Sequence, residues 1–254
     1  MRLIVNADDF GYTSGVTSGI LRAQREGIVT ATTLMVNAAG SDAAGGEARR
    51  TKTLDVGVHV VFTYGRSVSP AARIPSLVDA TGAFPRVRDL LRAGQPKADE
   101  ALIEARAQYA RARQLIGREP THLDTHHWVH DMRALEDAML ALATETGTAL
   151  RANDGRQRAR FRDAGVRTTD RFVREFQHTG AIGVESLVAL LEHLAEQEAG
   201  TVELMCHPGE PDAALLAGSM YAEERGVELR TLTDPAVRAA VGRLGIELIT
   251  FADL

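Results

Sequence analysis

The chain has 254 residues, with 29 Lys and Arg against 34 Asp and Glu, eight histidines and one cysteine. The lone Cys206 excludes a disulfide scaffold and points to a reducing, cytoplasmic setting, and a net charge of −5 gives no basic footprint for nucleic acid or an acidic membrane surface. No run approaches the roughly 18 apolar residues of a membrane span, and the first apolar run meets Asn6 too early for a signal-peptide core.

Along the chain, short apolar runs alternate with helical segments. Residues 3–5 read as a first strand, followed by a helix near 15–26, a strand at 32–36, a helix near 41–50 and a strand at 56–58. After a proline- and glycine-rich excursion over 64–97 come a helix near 98–116, a strand at 122–124, a helix near 131–146 and a strand at 149–151. A second, arginine-rich excursion spans 152–180. The chain closes with a helix near 184–198, a strand at 202–206, helices near 212–225 and 235–244, and a strand at 246–249. Gly27, Gly147 and Gly245 stand where left-handed helix caps are expected before the next strand. The alternation predicts an α/β fold with a largely parallel sheet of about seven strands, organised as one domain over 1–254. Excursions of this length are functional loops, mobile segments or surface decoration.

The chemistry gathers at strand ends. The first strand runs into Asn6-Ala7-Asp8-Asp9-Phe10-Gly11, whose adjacent carboxylates repel and need hydrogen bonds or a cation. They share one site only if the chain bends there, which Gly11 permits. His59 follows Asp55-Val56-Gly57-Val58. Residues 121–130 hold four histidines, and strand alternation puts His122, Asp124 and His126 on one face, suited to a divalent metal or proton transfer. His207 ends the run Val202–Cys206. In a barrel or open parallel sheet these carboxyl ends share one face, so Asp8, Asp9, His59, His126 and His207 are expected to converge. Cys206, which faces away from His207, reads as a small buried hydrophobe. His178, in an irregular loop, and His193, within a helix, read as structural. No Gly-x-Gly-x-x-Gly, Walker loop or nucleophile elbow is present.

These motifs in series resemble the YdjC-like carbohydrate deacetylases, a family that includes chitooligosaccharide deacetylase and the hopanoid-associated deacetylases. The resemblance rests on Asn6–Gly11, Glu26–Thr30 leading to Leu34–Asn37, Val56–His59, Pro120–His127, Glu203–Gly209 and Leu244–Ile249. It implies a (β/α) barrel-like fold related to the TIM barrel, one divalent ion (Mg2+, with Zn2+ or another divalent ion as alternatives), hydrolysis of N-acetyl groups on mono- or oligosaccharides, and a homodimer. By the same resemblance Asp9, His59 and His126 are the metal ligands, Asp8 the general base and His207 the general acid. Asp124 either orients a ligand histidine or makes an ordinary structural hydrogen bond. The family commonly reads His-His-His-Val-His where this chain has His126-His127-Trp128-Val129-His130. Trp128 either stacks on the apolar face of a pyranose or packs. His130 beside it, and Tyr64, Arg66 and Phe84 of the 64–97 excursion, are further candidates for touching the substrate.

Two other readings stand beside this one. A phosphoesterase would hold two metals about 4 Å apart and draw extra ligands from His122, Asp124 and His130. A sugar-binding protein on the same fold would need neither base nor acid.

Overall fold

The computed structural model describes residues 1–177, 180–197 and 200–254; His178, and the last residue of the helix expected near 184–198, lie outside the described residues. In chain order, β1 (Arg2–Phe10), α1 (Ser14–Glu26), β2 (Ala31–Leu34), α2 (Ser41–Arg50) and β3 (Asp55–Val60) form the first half of the sheet with its covering helices. They are followed by α3 (Val87–Ala93), α4 (Ala98–Ile116), β4 (His122–Thr125), α5 (Arg133–Thr146) and β5 (Ala149–Leu150). Then come α6 (Gly155–Asp163), β6 (Arg171–Val173), α7 (Val184–Glu196), β7 (Thr201–Cys206), α8 (Ala213–Gly218), α9 (Glu223–Leu232), α10 (Pro235–Arg243) and β8 (Glu247–Leu248).

Seven strands form a curled parallel half-barrel in the order β5-β4-β3-β2-β1-β7-β6, and β8 joins the lower part of β1. The strands are buried along most of their length, as expected where helices cover one face and the barrel interior lies on the other. Alternation sorts the side chains of β1. Leu3, Val5 and Ala7 join the main core under the helices. Ile4 faces the interior, where it packs with Ala31, Ala149, Ile249 and Phe251 at the closed end. Above this apolar plug the interior becomes polar, through Asn6, His122, Arg151 and Glu203, all buried.

Several boundaries differ from the sequence expectation, each for a physical reason. β1 continues past Asn6 because the interior is polar enough to accept Asn6 and Asp8. The 64–97 excursion is pinned rather than loose: Glu104 on α4 accepts the backbone N–H groups of Val68 and Ser69, and Glu100 accepts that of Ser76. The 152–180 stretch contains a helix and a strand. Its arginines obscure them in the sequence, yet Arg156 and Arg160 reach the buried Glu136 on α5. The helix expected over 212–225 is two helices, α8 and α9, and the break places Tyr221 between them. Gly147 and Gly245 do adopt positive φ of 67° and 61°. Gly27 does not, with φ −116°. It is glycine because a Cβ there would lie 2.4 Å from the Leu232 carbonyl oxygen.

The half-barrel is not closed by a strand pair between β5 and β6. A backbone hydrogen bond from Leu150 to Arg167 (2.9 Å) bridges part of the gap. Arg151 does the rest from inside, reaching β1, β4 and β7.

Candidate active site

A cavity of about 800 Å³ opens at the carboxyl ends of the strands, lined among others by Asp8, Asp9, Tyr12, His59, Tyr64, His126, Trp128, His207, Tyr221 and Arg225. The bend that brings both carboxylates to it lies at Asp9 itself, with φ 71°, together with Gly11 at φ 89°. The β1–β2 register shifts between Ala7 and Phe10, so Asp8 and Asp9 both reach the cavity. A non-glycine residue in this region is strained, and such strain concentrates where side-chain placement matters.

Asp9 Oδ1, His59 Nε2 and His126 Nδ1 form a triangle with edges of 3.2, 3.1 and 3.2 Å. Donors bound to one ion at about 2.1 Å lie about 3.0 Å apart in octahedral and about 3.4 Å apart in tetrahedral coordination, so these spacings fit a divalent cation. Among the described residues Asp9 Oδ1 is buried without a hydrogen-bond partner, while Oδ2 is held by Arg225 at 2.5 Å. His59 Nδ1 lies 2.6 Å from Asp124 Oδ1. That contact assigns the proton to Nδ1 and leaves the Nε2 lone pair for an ion.

A second cluster, Asp8, His59 and Asp124, also has its donor atoms within 4.8 Å of one another, but Arg151 already supplies its cation. The guanidinium reaches both oxygens of Asp8 at 2.8 Å, Asp124 at 2.8 Å and Glu203 at 2.6 Å. Burial alone pushes the Asp8 carboxyl up, and Arg151 more than offsets this, holding it at about 2. Asn6 adds a hydrogen bond at 2.8 Å and itself accepts from His122, whose ring stacks on Phe251 at 3.7 Å. The closed end of the barrel is thereby linked to Asp8.

Burial opposes a charge on His59, but Asp124 and Asp9 outweigh it and raise the imidazole to about 10. The free site therefore carries a proton on His59 at neutral pH, which an ion must displace. Metal loading near pH 7 is expected to release about one proton per chain. Calorimetric titration in buffers of different ionisation enthalpy measures it, and no net release would contradict the ligand assignment.

His207 stands at the end of β7, where α1 packs against the following turn so closely that a Cβ on Gly19 would lie 2.5 Å from Gly209 Cα. Burial and then Arg225 lower His207 to about 4, so the ring is neutral at rest. Its Nδ1 is buried without a hydrogen-bond partner among the described residues. Glu228 on α9 accepts the His207 backbone N–H at 2.5 Å and the Tyr221 hydroxyl at 2.6 Å; burial pushes this carboxyl up to about 7.

The structure brings Asp8, Asp9, His59, His126, His207, Tyr64 and Trp128 to one cavity. Trp128 is fixed with φ 53°, its indole N–H on Met205 Sδ and the Arg174 guanidinium 5.2 Å from its ring centre. Three other candidates are not among the residues that line the cavity. His130 is fully buried, tied to Thr125 and to the Arg151 carbonyl, because the turn at His127 and Trp128, both with positive φ, sends it into the interior. Arg66 turns away to the Thr81 carbonyl, and Phe84 packs edge-on against Phe62 in the core. His193 is exposed and bonds Gln197, and Cys206 is a buried free thiol. Arg151, Arg225 and Glu228 were not expected. Arg151 stands at a strand end like the histidines, and that position was the available signal.

The sequence profile of the YdjC-like proteins matches residues 2–243. The chain belongs to the YdjC-like family. This family member is 41% identical to a carbohydrate deacetylase of Brevibacillus brevis, with all of both chains covered. It is 38% identical to a chitooligosaccharide deacetylase of Serratia marcescens, covering 99% of this chain and 98% of that one. A crystal structure from Enterococcus faecalis, provisionally assigned to cellobiose-phosphate cleavage, superposes with a TM-score of 0.91 at 33% identity, covering 99% of this chain and 98% of the other.

Proposed function

We propose that this YdjC-like protein is a metal-dependent hydrolase that removes the acetyl group from N-acetylated mono- or oligosaccharides, with chitooligosaccharide-type N-acetylglucosamine compounds as the favoured substrates. The observation that carries this reading is the Asp9–His59–His126 triangle at the wall of a cavity that Asp8 and His207 also line. The deacetylase names of full-length relatives support it. Magnesium is the ion the family resemblance favours, and when bound a divalent ion polarises the acetyl carbonyl and acidifies water.

The chain's own residues do the rest. Asp8, held at about 2 by Arg151, is ionised at any working pH and takes the proton of the attacking water. The acid limb of the pH profile therefore belongs to other groups. His207, neutral at rest, supplies a proton to the departing amine once it has taken one up. Asp124 orients His59, and Tyr64 and Trp128 offer aromatic walls to a sugar ring. One ion per chain follows from Arg151, which takes the place a second metal would need, and this disfavours the two-metal phosphoesterase reading. Among the described residues no helix is long and apolar enough to cross a membrane; a cytoplasmic homodimer is the working form we propose.

Acetate release from diacetylchitobiose, N-acetylglucosamine and related N-acetyl sugars tests the reading. Release from at least one member is expected, and none from a broad panel would refute it.

A further inference from the structure

We propose that Glu228 is a positioning residue for His207, holding its ring in place and facing the imidazolium while His207 protonates the leaving amine. The inference rests on the deacetylase reading of the same cavity.

Glu228 is fully buried behind the cavity wall, while His207 and Tyr221 line the cavity itself. One carboxylate oxygen accepts the His207 backbone N–H at 2.5 Å, which fixes the residue at the end of its strand. The other accepts the Tyr221 hydroxyl at 2.6 Å and lies 4.0 Å from His207 Nδ1. That nitrogen is buried and has no other partner among the described residues, so Nε2 is the ring nitrogen available to a ligand. A ring movement of about 1 Å brings Nδ1 to hydrogen-bonding distance of the carboxylate.

The distribution of charge singles Glu228 out. Asp8 is neutralised by Arg151 and Asp9 by Arg225. Both hydrogen-bond donors to Glu228, a phenol and a peptide N–H, are neutral, so among the described residues no cation is hydrogen-bonded to this carboxyl; burial holds it at about 7, and an imidazolium facing it at Nδ1 favours its ionised form. Arg225 and Glu228, three residues apart, share one face of α9. The helix thus presents one group to Asp9 and the other to His207.

In the final step the C–N bond of the tetrahedral intermediate breaks and its electron pair stays on the sugar nitrogen. That nitrogen takes the proton from His207 Nε2, the acetyl carbon leaves as acetic acid, which ionises in solvent, and His207 returns to the neutral imidazole. Glu228 acts only through His207: it lowers the cost of the cationic ring before the transfer.

The test compares the full-length Glu228→Gln and His207→Ala variants on diacetylchitobiose and on p-nitrophenyl acetate, whose leaving nitrophenolate needs no proton. Glu228→Gln keeps the size and an acceptor oxygen, and the ester rate on the same preparation reports whether the site is intact. The expected result is a loss of at least about 10²-fold in amide kcat, with KM and the ester rate within about threefold. His207→Ala is expected to show the same selectivity with a larger loss. If Glu228→Gln lowers both substrates equally, or lowers neither, the inference is overturned. If His207→Ala spares the amide, His207 is not the acid and the inference is overturned while the deacetylase reading stands; if the unsubstituted protein releases acetate from no N-acetyl sugar of the panel, the deacetylase reading fails and the inference fails with it.

Discussion

Asp8→Asn protein is expected to bind its divalent ion with nearly unchanged affinity and to lose about 10²- to 10⁴-fold in kcat, whereas Asp9→Ala is expected to weaken the ion by more than about 10²-fold. The two carboxylates are adjacent in sequence, so the contrast depends wholly on how the bend at Asp9 aims them. Asp9 Oδ1 faces His59 Nε2 and His126 Nδ1 at 3.2 and 3.1 Å. Asp8 spends both oxygens on Arg151 and one also on Asn6. Asparagine at position 8 keeps a carbonyl for Arg151 and removes the basic oxygen. Metal affinity by calorimetry and acetate release on the same preparations check the pair. Equal loss of metal in both variants would overturn the division of roles.

Arg151→Met carries the largest expected cost in stability. One guanidinium serves three buried carboxylates, Asp8, Asp124 and Glu203, and removing it leaves them uncompensated. Breaking a buried pair in this way costs about 3–5 kcal/mol. The sign of the pH dependence follows from the folded-state values. Asp8 is depressed from 3.8 to about 2, so in the native protein its pairing stabilises the fold above the ordinary carboxylate range and is lost as pH falls through the depressed value. In the variant burial pushes the unpaired Asp8 carboxyl up with no guanidinium to offset it, and Asp8 sheds its charge sooner on acidification. The deficit relative to the unsubstituted protein is therefore expected to be largest near pH 7 and to shrink toward pH 4. Urea unfolding at the two pH values measures it. An undiminished deficit at the lower pH would mean that lost packing, not uncompensated charge, accounts for the cost.

The convergence of Asp8, Asp9, His59, His126 and His207 was legible because a parallel sheet delivers every strand's carboxyl end to one face, so position relative to an apolar run is enough. The groups that set the chemistry of these five were not. Arg151 closes a short strand expected at 149–151, but its partners come from β1, β4 and β7, and nothing local marks a charge as interior. Arg225 and Glu228 were hidden by the expectation of one helix over 212–225. The break at Ser219–Ala222 lets α9 bring Arg225 to the cavity and Glu228 behind its wall. His130 shows the converse: proximity in sequence to His126 suggested a role at the substrate, while the tight turn at His127 and Trp128, both with positive φ, sends it into the interior. The 64–97 excursion, rich in proline and glycine, owes its order to Glu100 and Glu104 of a helix that follows it, a pairing with no local signature.

The central claim is a single divalent ion, held by Asp9, His59 and His126, on which turnover depends. It is tested most directly by stripping the protein with chelator, adding back magnesium or zinc in measured equivalents, and following acetate release from an N-acetyl sugar together with bound metal. Release is expected to be lost on stripping and to return in full at one ion per chain. Release that survives complete stripping, or that returns only at two ions per chain, would contradict it.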